Sequence, residues 1–241
     1  MIPRWFLFPA NKRKSYLHII APDFFDYFLA TRPLLDEDAT LFCVSAWNDN
    51  GKPDLIDESA QDLIHRSDFF PGLGWLLTRK IWLELAPKWP LGFWDDWLRQ
   101  RGQRKERSCL RPEISRTRTF GRVGASEGQF FDQYLRFIKL NEKRYPFQEY
   151  DLNHLLKPNY DKKFIDTVYN TPEQHDDSKD SREAIRISYG NKWEFERVAR
   201  RYGMMTDEKE GVPRTAYLGI VSIFRNNKRI YIAPKMGWKP Y

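Results

Sequence analysis

The sequence predicts an α/β fold, an α/β domain followed by a small α+β C-terminal domain, on three observations. An apolar, β-prone run, Leu41–Trp47, stands between helix-forming stretches and ends on the turn signal Asn48-Asp49-Asn50-Gly51. From Tyr145 to Ser181 the chain turns polar and carries Pro146, Pro158 and Pro172, the composition of a connection between domains. The tail then alternates strand, helix and hairpin within a short span, as a small α+β unit does.

Taken in order, Pro22 followed by Asp23–Leu29 reads as a helix with proline at its first position, ending before Pro33. Leu41–Trp47 reads as a buried strand whose end opens into a loop. Pro71-Gly72-Leu73-Gly74 is a turn leading into a helix from about Trp75 to Leu85. Gln129–Leu140 has the clearest helical period, with Phe130, Phe131, Tyr134, Phe137 and Ile138 on one face; core packing is the expected use of that stripe. Beyond the polar stretch come a strand, Ala184–Tyr189, a helix, Trp193–Tyr202, and a hairpin pairing Ala216–Phe224 with Arg229–Ala233 across Asn226-Asn227.

Composition narrows the class. The 241 residues are 41% hydrophobic and 16% aromatic with nine Trp, which excludes a disordered chain. No apolar run is long enough to span a bilayer, and Trp5–Phe8 is too short for a signal-peptide core, so no membrane contact is expected from this chain itself. The net charge of +7 raises a nucleic-acid reading. Its basic residues are densest in Arg99–Arg107, without interleaved aromatics, so a solvated basic loop is favoured and no nucleic-acid partner is expected. A basic balance also suits a phosphate-bearing small substrate. Cys43 and Cys109 form no C-x-x-C pair, and the four histidines show no ligand spacing. The cysteines read equally as buried thiols or as a disulfide.

Four stretches stand out chemically. Phe93-Trp94-Asp95-Asp96-Trp97 sets two carboxylates among tryptophans, where charge is costly unless used or paired. An aromatic wall with a carboxylate holds a sugar, ring face on Trp and hydroxyls on the acid; a helix N-terminus favouring Asp is the competing reading. Arg111–Gly121, running on to Gly124-Ala125-Ser126-Glu127-Gly128, is a glycine and hydroxyl loop suited to an anion, though it matches no Walker or dinucleotide fingerprint. Asp68–Trp75 carries glycines that permit close backbone approach. The triplet Asp36-Glu37-Asp38 reads as solvated surface.

Together these residues resemble the family of β-1,2-N-acetylglucosaminyltransferase I. The matching stretches are Ala21–Phe25, Cys43–Gly51, Asp68–Trp75, Pro87–Pro90, Phe93–Trp97, Arg111–Gly121, Gly128–Gln133, Phe137–Asn141 and Gly211–Arg214, in order and at similar spacing. The resemblance implies an incomplete nucleotide-sugar transferase domain of GT-A-like fold over 21–141, a linker at 142–157 and a C-terminal domain at 158–241. It implies inverting transfer of N-acetylglucosamine from UDP-GlcNAc, in β-1,2 linkage, to the α-1,3-linked mannose of a high-mannose N-glycan, with manganese as cofactor, in the Golgi lumen. Asp95 is then the catalytic base, Leu73 and Trp94 contact the donor sugar, and Ala125 and Ser126 lie in a loop closing over the donor phosphates. Cys43 and Cys109 match a family disulfide. A sister family acting on O-linked mannose shares Ser45–Asp49 and Pro71–Trp75, but Asp96 and Arg111–Thr117 favour the N-glycan branch.

The sequence departs from the family at its start. The manganese-holding acidic triplet falls on Ser15, Tyr16 and Leu17, and no carboxylate occurs in Met1–Ile20, a segment before the resemblance, which is expected to cover about 21–241. None of these residues is a metal ligand, so little transferase activity is expected of the 241 residues by themselves. A non-catalytic glycan- or partner-binding fragment built on Trp94 and Trp97 is the alternative.

Overall fold

The computed structural model describes residues 18–119, 128, 130–175 and 183–241. Its elements are β1 (His18–Ile20), α1 (Phe24–Glu37), β2 (Leu41–Ser45), β3 (Ile64–Ser67), β4 (Trp75–Leu76), α2 (Arg79–Leu85), α3 (Trp94–Arg99), α4 (Arg101–Arg104), β5 (Ser108–Pro112) and β6 (Thr117–Thr119). There follow α5 (Lys157–Asn170), β7 (Ala184–Tyr189), α6 (Lys192–Tyr202), β8 (Glu208–Lys209), β9 (Val212–Pro213), β10 (Val221–Arg225) and β11 (Lys228–Pro234).

The mixed α/β class is what the structure has. A four-stranded sheet runs β3-β5-β2-β4, with β2 and β5 parallel and the outer strands antiparallel to them. Every residue of β2 is buried, as a continuous apolar run requires. Helix α1 covers this sheet with Phe24, Tyr27, Phe28, Leu34 and Leu35, a helical-period face. A three-stranded sheet, β10-β11-β7, is backed by α6, whose Phe195, Val198, Ala199 and Tyr202 pack on Ile185, Ile187 and Ile230. Asn226 and Asn227, both at positive φ, make the tight β10–β11 turn.

Between parallel neighbours β2 and β5, Cys43 and Cys109 are register partners and are disulfide-bonded, with Cα atoms 4.6 Å apart. The bond closes a loop of 66 residues, worth about 4 kcal/mol in the chain-entropy account. It sits in an apolar cluster with Phe42, Phe70, Leu85 and Leu98, on which Trp75, Trp89, Trp94 and Trp97 lean.

Several expectations differ from what is observed. Helix α1 does not stop before Pro33 but runs through it to Glu37. Proline forfeits the hydrogen bond to Leu29, a cost of about 3 kcal/mol. Leu29 and Pro33 are on the exposed side, whereas the next turn buries Leu34 and Leu35, each worth about 1.5–3 kcal/mol. The helix expected from about Trp75 starts at Arg79, capped by the Thr78 hydroxyl; Trp75 and Leu76 instead pair with Ser45 and Val44. The described part of Gln129–Leu140 is not an α-helix but turns, with one 3₁₀ segment at Leu135–Phe137. Lys139 N–H donates to Gly51 and Asn141 N–H to Ser115, so distant backbone claims the groups a helix needs. Of that apolar stripe Ile138 is buried, while Phe137 is exposed.

The polar stretch expected as a connection holds α5, whose Pro158 occupies the first turn, where proline costs no hydrogen bond. Phe147 and Leu155, just before it, are fully buried in the first core. Asp38, expected to be solvated, is buried and accepts hydrogen bonds from Arg66 and the Lys157 N–H. Among the described residues no helix is long and apolar enough to cross a membrane.

Candidate functional site

The site is assembled where the turn at Pro71–Gly74 meets α3. Gly74 has φ +78°, and a Cβ there would fall 2.7 Å from the Thr117 methyl, so only glycine lets the turn close against β6. The turn is pinned by its carbonyls. Ser45 Oγ donates to Pro71 O, Ala46 N–H to Gly74 O, and Thr117 Oγ1 to Leu73 O at 2.8 Å. At Gly72 a Cβ would lie 3.6 Å from Asp95 Cβ and 3.7 Å from an Arg99 nitrogen. The turn that carries Leu73 and the helix that carries Trp94 and Asp95 thus share one corner of the fold.

Helix α3 is entered through Phe93, a non-glycine residue at φ 50° with its ring 79% exposed. Trp94 packs among Phe70, Trp75 and Trp89, with the Trp89 ring nearly parallel at 6.1 Å. Asp95 and Asp96 follow in the first turn, where the helix dipole favours carboxylates. The Asp95 side chain is 42% exposed and one of its oxygens accepts from Arg99 at 3.0 Å, one helical turn on. Asp96 pairs with Lys209 at 2.6 Å.

Arg99, expected in a solvated basic loop, is instead a neighbour of Asp95 with its side chain only 10% exposed. Its Nε donates to Phe70 O at 3.2 Å and its guanidinium stands over Phe69 at 4.7 Å. Burial and the Arg214 cation both lower the Arg99 pKa, opposed by Asp95, Asp49 and Asp207. Arg214 stands 4.9 Å from the same Phe69 ring and bonds Asp49 and Asp207, each at 2.6 Å. Burial works against its charge, but the two carboxylates raise its pKa. The i,i+4 spacing of Asp95 and Arg99 was the one signal available in sequence.

Beside the site a second polar group is structural. Glu113, almost wholly buried, bonds His65 at 2.6 Å, Arg229 at 2.9 Å and the Asp57 N–H at 2.8 Å. Burial alone would raise the Glu113 pKa; His65, Arg229 and the amide overturn that and hold it at about 2. Burial, then Arg111, push the His65 pKa down to about 4.

Ala125 and Ser126 lie outside the described residues. For a divalent cation the fit is poor, since no group of three His, Cys, Asp or Glu converges among the described residues. Asp95 and Asp96 are already engaged by Arg99 and Lys209. These residues do not make a manganese site, and no step below runs through one.

The site sets a solvent-reached carboxylate beside partly buried tryptophans on a mixed α/β scaffold. The family model described as GNT-I family matches residues 17–241, and the chain belongs to that family. It is similar to alpha-1,3-mannosyl-glycoprotein 2-beta-N-acetylglucosaminyltransferase of Arabidopsis thaliana, 46% identical over 220 residues, which are 88% of this chain and 49% of that protein. The chain therefore spans about half the length of the curated relative it matches.

Proposed function

We propose that the chain is the later portion of a GT-A-like inverting glycosyltransferase, carrying the catalytic base and the sugar-facing aromatic wall. The reaction is transfer of N-acetylglucosamine from UDP-GlcNAc, in β-1,2 linkage, to the α-1,3-linked mannose of a high-mannose N-glycan. What carries this reading is the placement of Asp95 beside Trp94 and the Leu73 turn, in a chain of the GNT-I family.

Inversion needs a single displacement. The mannose hydroxyl oxygen forms the new bond to the anomeric carbon as the bond to the diphosphate oxygen breaks, and the hydroxyl proton passes to the Asp95 carboxylate. Trp94 and Leu73 fit the apolar face of the donor sugar, and the Ala125–Ser126 segment is assigned to the donor phosphates. The organisation proposed is a catalytic part at 21–141, a linker at 142–157 and a C-terminal part at 158–241, working in the Golgi lumen.

The test joins residues 21–241 to the part of the Arabidopsis relative that they leave unmatched and supplies UDP-GlcNAc, manganese and an oligomannose N-glycan. The expected product is a β-linked N-acetylglucosamine on mannose. The 241-residue chain by itself is expected to yield almost none, because Ser15, Tyr16 and Leu17 stand in the places of the metal-binding acids. A folded joined protein that makes no product, or an α-linked one, overturns the reading.

A further inference from the structure

We propose that Arg99 is the positioning residue for Asp95, and that the β8–β9 hairpin, with Arg214 just beyond it, clamps Arg99 and α3 in place. The proposal rests on the reading of Asp95 as the base.

Asp95 needs such a device. It sits on a six-residue helix, too short to hold itself, and its side chain is 42% exposed. The Arg99 guanidinium is fixed on three sides, by the Phe70 carbonyl, the Phe69 ring and the Asp95 carboxylate. Two cations beside one ring repel unless anions flank them. Here Arg214, over the same Phe69 ring, is held by Asp49 from the loop after β2 and by Asp207 from the segment before β8. The line Asp49 and Asp207, Arg214, Phe69, Arg99, Asp95 therefore leads from the C-terminal part of the chain to the base.

The hairpin reaches α3 and α4 independently. Lys209 pairs with Asp96, the residue next to Asp95, at 2.6 Å. Glu210 accepts from the Arg101 N–H at the start of α4. Its turn is Glu210-Gly211, both at positive φ, the tight two-residue loop of a stiff hairpin. One eight-residue segment, 207–214, thus reaches α3 through Lys209, the start of α4 through Glu210 and the Phe69 ring beside Arg99 through Arg214.

The experiment uses the joined protein and reads kcat apart from the donor KM. Arg99→Met is expected to lower kcat by about 10²-fold, the cost of a roughly 1 Å misplacement, with donor KM within about twofold of the unsubstituted joined protein. Arg99→Lys, which restores a cation for Asp95, is expected to recover most of the loss. Unchanged kcat in Arg99→Met, with Asp95→Asn inactive, overturns the positioning role and leaves the base reading standing. Full activity in both variants overturns the base reading itself. Because the Arg99 side chain is only 10% exposed, the surface pair Lys209→Met with Glu210→Gln gives a second reading in the 241-residue chain. Hydrogen–deuterium exchange is expected to rise at residues 94–101 and not in β2 or β5; unchanged exchange at 94–101 overturns the clamp.

Discussion

Asp95→Asn in the joined protein lowers turnover by about 10²- to 10⁴-fold, the contribution of a positioned general base. The substitution keeps the size of the side chain, and the amide oxygen can still accept the Arg99 hydrogen bond now made at 3.0 Å. Helix α3, the tryptophan wall and the Leu73 turn are left in place, so donor affinity is expected to hold. Only the capacity to take the proton of the attacking hydroxyl is removed. Initial rates at saturating donor and acceptor measure the effect. A fall of less than about tenfold assigns the proton to another group, because that is below what a base supplies.

The second large effect is on stability. Glu113→Ala is expected to cost about 3–5 kcal/mol, the range for breaking a buried ion pair from one side. Glu113 lies at the end of β5, His65 on β3 and Arg229 on β11, so one carboxylate ties the four-stranded sheet to the three-stranded one. Its removal takes the carboxylate partner from Arg229 and the largest of the favourable charges from the nearby buried Arg111. Urea unfolding at pH 7 is the measurement, and a loss below about 1 kcal/mol would place the group among ordinary surface pairs.

The same group sets a pH dependence. With the His65 pKa held at about 4 against an ordinary 6.5, the unfolded chain binds more protons between those values. Stability therefore falls as pH drops through that window. The Glu113 pKa, at about 2 against 4.5, adds a further loss from about pH 4.5 downward. Both shifts act in one direction, and in Glu113→Ala the Glu113 part of the slope is gone.

How far sequence reading reaches can be seen residue by residue. Leu41–Trp47 announced β2 because a strand buried on both faces must be apolar throughout. The Asn226-Asn227 turn and the α6 face were equally legible, being local in their chemistry. Asp95 is singled out as a candidate by its tryptophan neighbours and a family resemblance. What sequence missed is non-local. Arg214 and Asp49 are 165 residues apart, and nothing in either neighbourhood says that they meet. The stripe at Phe130–Ile138 has helical period, yet Gly51 and Ser115 capture the backbone of Lys139 and Asn141. Helix α5 is not legible in the polar stretch from Tyr145 to Ser181, because prolines read there as connection, although Pro158 lies in the first turn, where proline is accommodated.

The most direct measurement is a crystal structure of the joined protein, as Asp95→Asn to stop turnover, with UDP-GlcNAc and an oligomannose acceptor. The account predicts the attacking mannose hydroxyl about 2.6–3.2 Å from the residue 95 side-chain oxygen or nitrogen, with the donor sugar against Trp94 and Leu73. An acceptor bound elsewhere, with residue 95 facing only Arg99 and solvent, would contradict it.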